Sequence, residues 1–316
     1  MALPPVTPAA PADRTRSARQ GPHRDDGRAA LLYLAPAAVV LLALMAYPIY
    51  QLVVISLHDY GQAQASGAAP LVFLGLENYR TLLGDPQFWD VLAATVVFAA
   101  VCVVATMLVG TALAVLASRA GPVPRTLLFL AALGAWATPT MAGSYVWLFL
   151  FDQDFGLVNE VLSSLGLPLS GHSWTFERLS AFGLVAAEIV WCSFPFVMVT
   201  VYAGITAIPR EVVEAAALDG ASAVRTATSV VLPILRPLLA IATIQSIIWD
   251  FKVFTQIYVM TGGGGVAGQN LVLNVFAYQK AFAGEQYGLG AAIGVVMTVL
   301  LLAVTGLYVR AQRWRP

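Results

Sequence analysis

Apolar residues gather along this chain into long runs separated by short polar or turn-rich stretches. A helix needs about 20 consecutive apolar residues to cross the hydrocarbon core of a bilayer. Six runs meet that length, at about 29–57, 89–118, 126–151, 181–203, 234–260 and 289–309. The pattern predicts an all-α, polytopic membrane protein with six transmembrane helices, forming a transmembrane domain over 29–316. Pro36 and Pro48 fall in the first run, where membrane helices tolerate the kinks they cause. Residues 1–28 are rich in Ala, Pro and Arg and lack apolar periodicity, which predicts a disordered tail. A cleavable signal peptide fits poorly, because the first apolar run is too long for one.

One interruption differs from the others. Glu211–Pro237 reads EVVEAAALDGASAVRTATSVVLPILRP and follows Pro209. Its Ala-rich start favours helix and Asp219-Gly220 is a strong turn signal. A second amphipathic run follows the turn. Pro233 and Pro237 are expected to close the segment, giving helix, turn, helix over about 209–233 between two spans. Burial in lipid does not call for such a unit.

Composition agrees with a membrane protein: 59% of residues are apolar and 11% charged. The net charge of zero is less informative than the positions of the cations. Arg14, Arg16, Arg19, Arg24 and Arg28 precede the first span, and Arg119 and Arg125 lie between the second and third. Arg210, Arg225 and Arg236 lie in or beside the helix-turn-helix, and Arg310, Arg313 and Arg315 end the chain. Six spans put all of these on one side. Arg80, Arg178 and Lys280 fall on the other, and Lys252 lies in the fifth span. The positive-inside rule then makes both termini and the helix-turn-helix cytoplasmic.

The chemistry available is narrow. A phosphate-binding loop needs glycines followed by Gly-Lys-Ser/Thr, but Lys252 precedes Val253 and Lys280 precedes Ala281. Gly262–Gly265 lacks the lysine and reads as an ordinary flexible loop. No Ser/His/Asp set is visible. Cys102 and Cys192 sit in apolar runs, and His23, His58 and His172 are scattered, so neither a disulfide nor a metal site is predicted. This chain is expected not to be an enzyme and to bind no cofactor itself. No nucleic-acid partner is indicated.

The helix-turn-helix has two physical readings. One places it on the membrane surface as a solvated amphipathic element, and the other docks it on a protein. Glu211, Glu214 and Asp219 make it acidic, which disfavours anionic lipid and suits a basic protein groove.

Glu214-Ala215-Ala216, Asp219-Gly220-Ala221, Leu232-Pro233 and Pro237 resemble the EAA loop of bacterial ATP-binding-cassette importer permeases. Pro48, Ser56, Gly75-Leu76 and Asn78-Tyr79 resemble the family's early pattern. Glu188, Trp191 and Phe194-Pro195-Phe196 resemble the stretch before the loop. Phe251, Lys252, Phe254 and Ile257–Gly264 resemble the end of span five in the carbohydrate and polyol branch, typified by maltose-transporter-type permeases. The likeness covers about residues 30–310.

The resemblance implies a transmembrane subunit in the bacterial cytoplasmic membrane that forms a path for a sugar, oligosaccharide or polyol. It implies a second, different permease chain, two cytoplasmic ATPase subunits carrying ATP and Mg, and an extracytoplasmic solute-binding protein. Glu211, Glu214, Ala215, Ala216, Asp219, Gly220 and Ala221 would couple to the ATPase, with Glu214 meeting a basic group and Gly220 permitting close backbone approach. Three positions depart from the pattern. Ala227 stands where a bulky apolar residue is usual, Thr255 where Asp is common, and Gly265 where Pro is common. The last two bear on the solute.

Ionisable groups inside spans are functional candidates. Glu188 lies in span four, and Asp250 and Lys252 in span five. Each could pair with another span or line the solute path. Gln245, Trp249 and, less well, Lys252 share a helical stripe, with Phe254 and Tyr258 further on. Amides, carboxylates and aromatic faces suit a polyhydroxyl solute, although the same aromatics could simply pack between helices. A phosphorylated polyol or a polyamine is an alternative solute. A self-sufficient secondary transporter is another reading, which the lack of a clear internal repeat disfavours.

Overall fold

The computed structural model describes residues 24–313, with side-chain surroundings over 32–310. The expected disordered tail therefore lies outside the described residues up to 23, and from Arg24 the chain is already helical. The chain divides between Gln51 and Leu52 into two units. The first holds α1 (Arg24–Leu41), which contains Pro36, then a π-helical turn at Leu42–Ala46 and the start of α2 (Tyr47–Ser56).

The second unit opens with a two-strand antiparallel pair, β1 (His58–Asp59) and β2 (Val72–Phe73), around the short α3 (Gln62–Ala65). α4 (Glu77–Gly84) follows, then α5 (Pro86–Arg119). Asp85 starts α5 by accepting a hydrogen bond from the Gln87 amide at 2.9 Å, with Pro86 in the first turn, the position where its missing N–H costs nothing. Asn78 ties this region together. Its amide donates to the carbonyls of Ser56 and His58 at 2.9 and 3.0 Å, and Ser56 and Tyr79 share a hydrogen bond of 2.7 Å.

The third span departs from expectation. A continuous helix over 126–151 is replaced by α6 (Pro122–Ala137) and α7 (Thr140–Leu150), bent by 104°. The cause is local. Pro139 removes an N–H and pushes the preceding residue out of the helical region, and Thr138 is extended at φ −70°, ψ 123°. α8 (Leu157–Ser164) lies in the following polar loop, and α9 (Arg178–Thr206) carries the fourth span through Pro195.

α10 (Arg210–Leu218) and α11 (Ala223–Thr226) form the helix-turn-helix. Pro233 and Pro237 do not close it. α11 runs through a π-helical turn at Ala227–Val231 into α12 (Leu232–Phe251), making one apolar helix over Ala223–Phe251. Pro233 sits in the first turn of α12, and the wider π turn just before it absorbs a mismatch that would break a regular helix. The fifth span also stops earlier than 260. The helix ends at Phe251, and α13 (Thr255–Met260) is a separate element.

Gly262–Gly265 is a built turn rather than a flexible loop. All four glycines have positive φ, from 63° to 122°. The Gly264 amide donates to Thr261 Oγ1 at 2.9 Å, and the Asn270 amide to the Gly264 carbonyl at 2.7 Å. α14 (Leu273–Tyr278), a π turn at Gln279–Ala283 and α15 (Tyr287–Arg313) complete the chain. The described residues thus hold five helices able to span a membrane, and six spans if the bent pair is one.

Two apolar clusters hold the second unit. One includes Phe88, Phe98, Val185, Ile257, Leu273 and Ile293; the other includes Ala114, Ala132, Val197, Val201 and Leu235. Small residues let the helices approach. A Cβ on Gly110 of α5 would lie 2.6 Å from Val197 Cβ on α9, and one on Gly204 of α9 2.6 Å from Leu238 on α12. Helices in lipid depend on this close packing.

Candidate functional site

The helix-turn-helix has a fully specified turn. Gly220 has φ +75°, its amide donates to the Ala217 carbonyl, and the Ala221 amide donates to the Ala216 carbonyl, both at 3.0 Å. These two bonds with a left-handed residue between them are the Schellman arrangement. They account for Ala216, Ala217, Gly220 and Ala221 as one device, and glycine is the residue that adopts this φ without a Cβ penalty. Ser222 then starts α11, its hydroxyl accepting from the Arg225 amide at 3.3 Å. Sequence reasoning missed Ser222, although serine after a turn and before a helical run is a cap signal.

The unit is exposed. No residue of α10 is buried; Glu211, Glu214 and Asp219 face solvent, and Leu218 is 90% exposed. Neither Glu211 nor Glu214 forms an ion pair among the described residues. α10 therefore presents an acidic surface ending in a bare apolar side chain, directly joined to the long α11–α12 helix.

The seven residues assigned to a solute path separate into three groups. Glu188 on α9 and Asp250 on α12 are interior, 0% and 3% exposed. Both Glu188 carboxylate oxygens and Asp250 Oδ2 lack a hydrogen-bond partner. Cys102 of α5, also buried, and Cys192 of α9 lie within electrostatic reach of Asp250. Ser144 of α7 faces Glu188, but its hydroxyl donates to the Thr140 carbonyl at 3.0 Å. The bend before α7 brings this side of the third span to Glu188.

Gln245 and Trp249 form the second group, on α12. Trp249 is 40% exposed and packs edge-on against Phe196 of α9, with centroids 5.4 Å apart. Lys252 is not on this helical stripe, because the helix has ended and its backbone has turned to φ −96°, ψ 11°. It belongs with Phe254 and Tyr258 beyond the break. Those two rings stack 5.2 Å apart and 15° from parallel. Lys252 and Asp250 make no ion pair, one being exposed and the other buried.

The fold adds two residues that the sequence reading passed over. Asn274 of α14 donates to the Lys252 carbonyl at 2.7 Å, and Tyr278 lies 5.2 Å from Phe254 and 5.4 Å from Tyr258 between centroids. Their spacing of four on one helix was a signal that they share a face.

Residues 107–315 match the family model described as "Binding-protein-dependent transport system inner membrane component". The chain is 40% identical over 280 residues to the diacetylchitobiose uptake system permease of Streptomyces coelicolor, covering 88% of this chain and 85% of that protein. It is 33% identical over 285 residues to the trehalose/maltose transport system permease of Thermococcus litoralis, covering 90% and 93%. Among solved structures, a bacterial ATP-binding-cassette transporter involved in import of the acidic polysaccharide alginate aligns with TM-score 0.78. That match covers 92% of this chain and 98% of the other at 18% identity, a likeness of fold.

Proposed function

The chain belongs to the family of binding-protein-dependent transport system inner membrane components, and from that premise we propose that α10 and its turn are where a separate ATPase subunit drives this permease. It is a multi-pass inner-membrane subunit of a carbohydrate ATP-binding-cassette importer. The proposed assembly contains a second permease chain, two ATPase subunits that hold ATP and Mg, and an extracytoplasmic solute-binding protein. The distribution of arginines supports cytoplasmic termini and a cytoplasmic α10.

One observation carries the reading. An exposed acidic helix, closed by Gly220, leads into a helix that continues without interruption from Ala223 to Phe251. At 1.5 Å per residue such a helix is about 43 Å long, enough to carry motion at α10 to Trp249 and Asp250. Glu214 would meet a cationic side chain of the ATPase, and Leu218 would enter an apolar recess. Closure of the ATPase pair on ATP would then shift α10 and tilt α12, alternating access to the path.

The relatives named for diacetylchitobiose and for trehalose or maltose support an oligosaccharide as the solute. In this assignment Gln245, Trp249, Lys252, Phe254 and Tyr258 face the path, while Glu188 and Asp250 set the polarity of the interior behind it.

The test is co-purification with the cognate ATPase and uptake of labelled disaccharide for Glu214→Arg, Gly220→Val and Leu218→Asp. Burying a leucine is worth about 1.5–3 kcal/mol, so Leu218→Asp should weaken ATPase association by roughly tenfold or more. All three variants should reach the membrane and fail to accumulate sugar. Normal uptake in both the Glu214 and Gly220 variants would overturn the assignment.

A further inference from the structure

Beyond Phe254 and Tyr258 the aromatic rings do not stop. Tyr278 touches both, Phe282 lies 5.0 Å from Tyr278, and Tyr287 lies 5.9 Å from Phe282, all measured between centroids. The residues come from the N-cap and body of α13, from α14, the following π turn and the first turn of α15, so the fold alone assembles the series. It borders a groove of about 510 Å³ lined by Phe254, Asn274, Tyr278, Phe282 and Tyr287 together with Ala281 and other small or aliphatic residues of α2, α14 and α15, within the range of about 300–1,000 Å³ usual for small-ligand sites.

We propose that this groove is a carbohydrate-binding subsite, which receives an oligosaccharide at the far end of α12 from the α10 turn and passes it toward Trp249. This rests on the carbohydrate-importer reading above and adds a location and a set of residues to it. Three features favour a sugar over internal packing. The groove's rings are not buried: Tyr278 is 38% exposed and Phe282 is 62% exposed. Phe254, Tyr278, Phe282 and Tyr287 line one concavity instead of standing singly around a helix, as interface-anchoring aromatics do. Polar groups also sit at its edge. The Asn274 amide donates to the Lys252 carbonyl, leaving its own carbonyl oxygen to accept from a hydroxyl. The C–H faces of a sugar ring can lie on the aromatic faces while its hydroxyls reach such groups. Successive groove rings 5.0–5.9 Å apart offer more than one place to stack, which suits two or more sugar units.

The π turn at Gln279–Ala283 is what turns Phe282 toward the groove, and it is held at several points. Gln279 Nε2 donates to the Gly263 carbonyl at 2.7 Å. Lys280 pairs with Asp85 at 3.6 Å and lies 5.0 Å over the Phe276 ring. The platform is therefore fixed by contacts that involve none of the groove's own rings.

The experiment uses the full chain with its cognate partners in membrane vesicles. In a Cys102→Ala/Cys192→Ala background, Ala281→Cys places one thiol in the groove wall, and a membrane-impermeant thiol reagent reads its accessibility. Diacetylchitobiose and trehalose serve as probes, with glycerol as a small polyol control. If the groove binds sugar, one or both disaccharides slow labelling by a factor of one plus the ratio of sugar concentration to Kd, about tenfold at roughly ten times Kd. Phe282→Leu, which keeps apolar bulk and removes the flat face, should raise that Kd by roughly three- to tenfold, whereas Phe282→Trp should not. Normal uptake without protection overturns the subsite and leaves the importer reading intact, as does an unchanged Kd in Phe282→Leu. A wild-type assembly that accumulates no sugar overturns both.

Discussion

Glu188 of α9 sits directly over Gly143 of α7: a Cβ added to Gly143 would lie 3.3 Å from Glu188 Oε1. Glycine at 143 lets the bent third span approach a carboxylate that is 0% exposed and has no hydrogen-bond partner. Gly143→Leu should therefore overpack the site and destabilise the detergent-solubilised protein by about 1–3 kcal/mol. Gly134 of α6 has nothing within 4 Å of such a Cβ, so Gly134→Leu should be neutral or stabilising, leucine being the better helix former. Glu188→Ala should partly rescue Gly143→Leu, with a coupling of about 0.5–3 kcal/mol in a double-mutant cycle followed by thermal unfolding. Strict additivity would mean that the two side chains do not meet.

The π turn at Ala227–Val231 makes a second prediction. Its extra residue is taken up in one wider turn, so α11, which follows the Gly220 turn, and α12, which carries Trp249 and Asp250, stay in helical phase across it. Deleting Ala227 should convert the turn to regular helix and keep the two parts nearly in phase, whereas deleting Ile241 from the regular part of α12 should rotate the parts on either side by about 100°. Membrane insertion should persist in both, and sugar uptake should fall to background only in the Ile241 deletion. Ala227→Phe changes no phase and adds its ring at an exposed position, so stability should stay within about 0.5 kcal/mol. Uptake by the Ile241 deletion at the wild-type rate would show that phase is unimportant.

These two sites also show what could be read from the chain. The apolar runs and the Asp219-Gly220 turn were legible because their causes are local: membrane thickness sets the run length, and a left-handed C-terminal cap asks for glycine. Pro139 was visible but lay inside an apolar run, so composition masked the break it makes. The π turn had no local marker, since it answers to Pro233 several residues later. The end of α12 at Phe251 likewise has neither Pro nor Gly beside it; the Lys252 carbonyl is instead taken by Asn274, 22 residues on. In the site, Glu214 and Gly220 came from one short stretch. Tyr278 and Phe282 join Phe254 only through the fold, and the stripe linking Lys252 to Trp249 dissolved because it assumed an unbroken helix.

The glycine turn after α13 gives the last prediction, because its four residues look alike in sequence and differ in structure. Gly262 has φ +63° and nothing within 4 Å of an added Cβ, so Gly262→Ala meets only the left-handed backbone penalty, about 1–2 kcal/mol. Gly264 has φ +122°, and an added Cβ would fall 2.9 Å from Leu271 Cγ. Leu271 is 2% exposed and packed in the larger apolar cluster, so it has little room to retreat. Gly264→Ala thus combines backbone strain of about 1–3 kcal/mol with overpacking of similar size. Thermal unfolding of the two variants should rank Gly264→Ala well below Gly262→Ala, and Gly262→Asn above both, since asparagine tolerates the left-handed region better than alanine. A flexible loop would leave all three at the wild-type temperature. The Gly263 carbonyl in this turn accepts from Gln279, so distortion at Gly264 should also raise the disaccharide Kd at the groove, through loss of the support under Phe282.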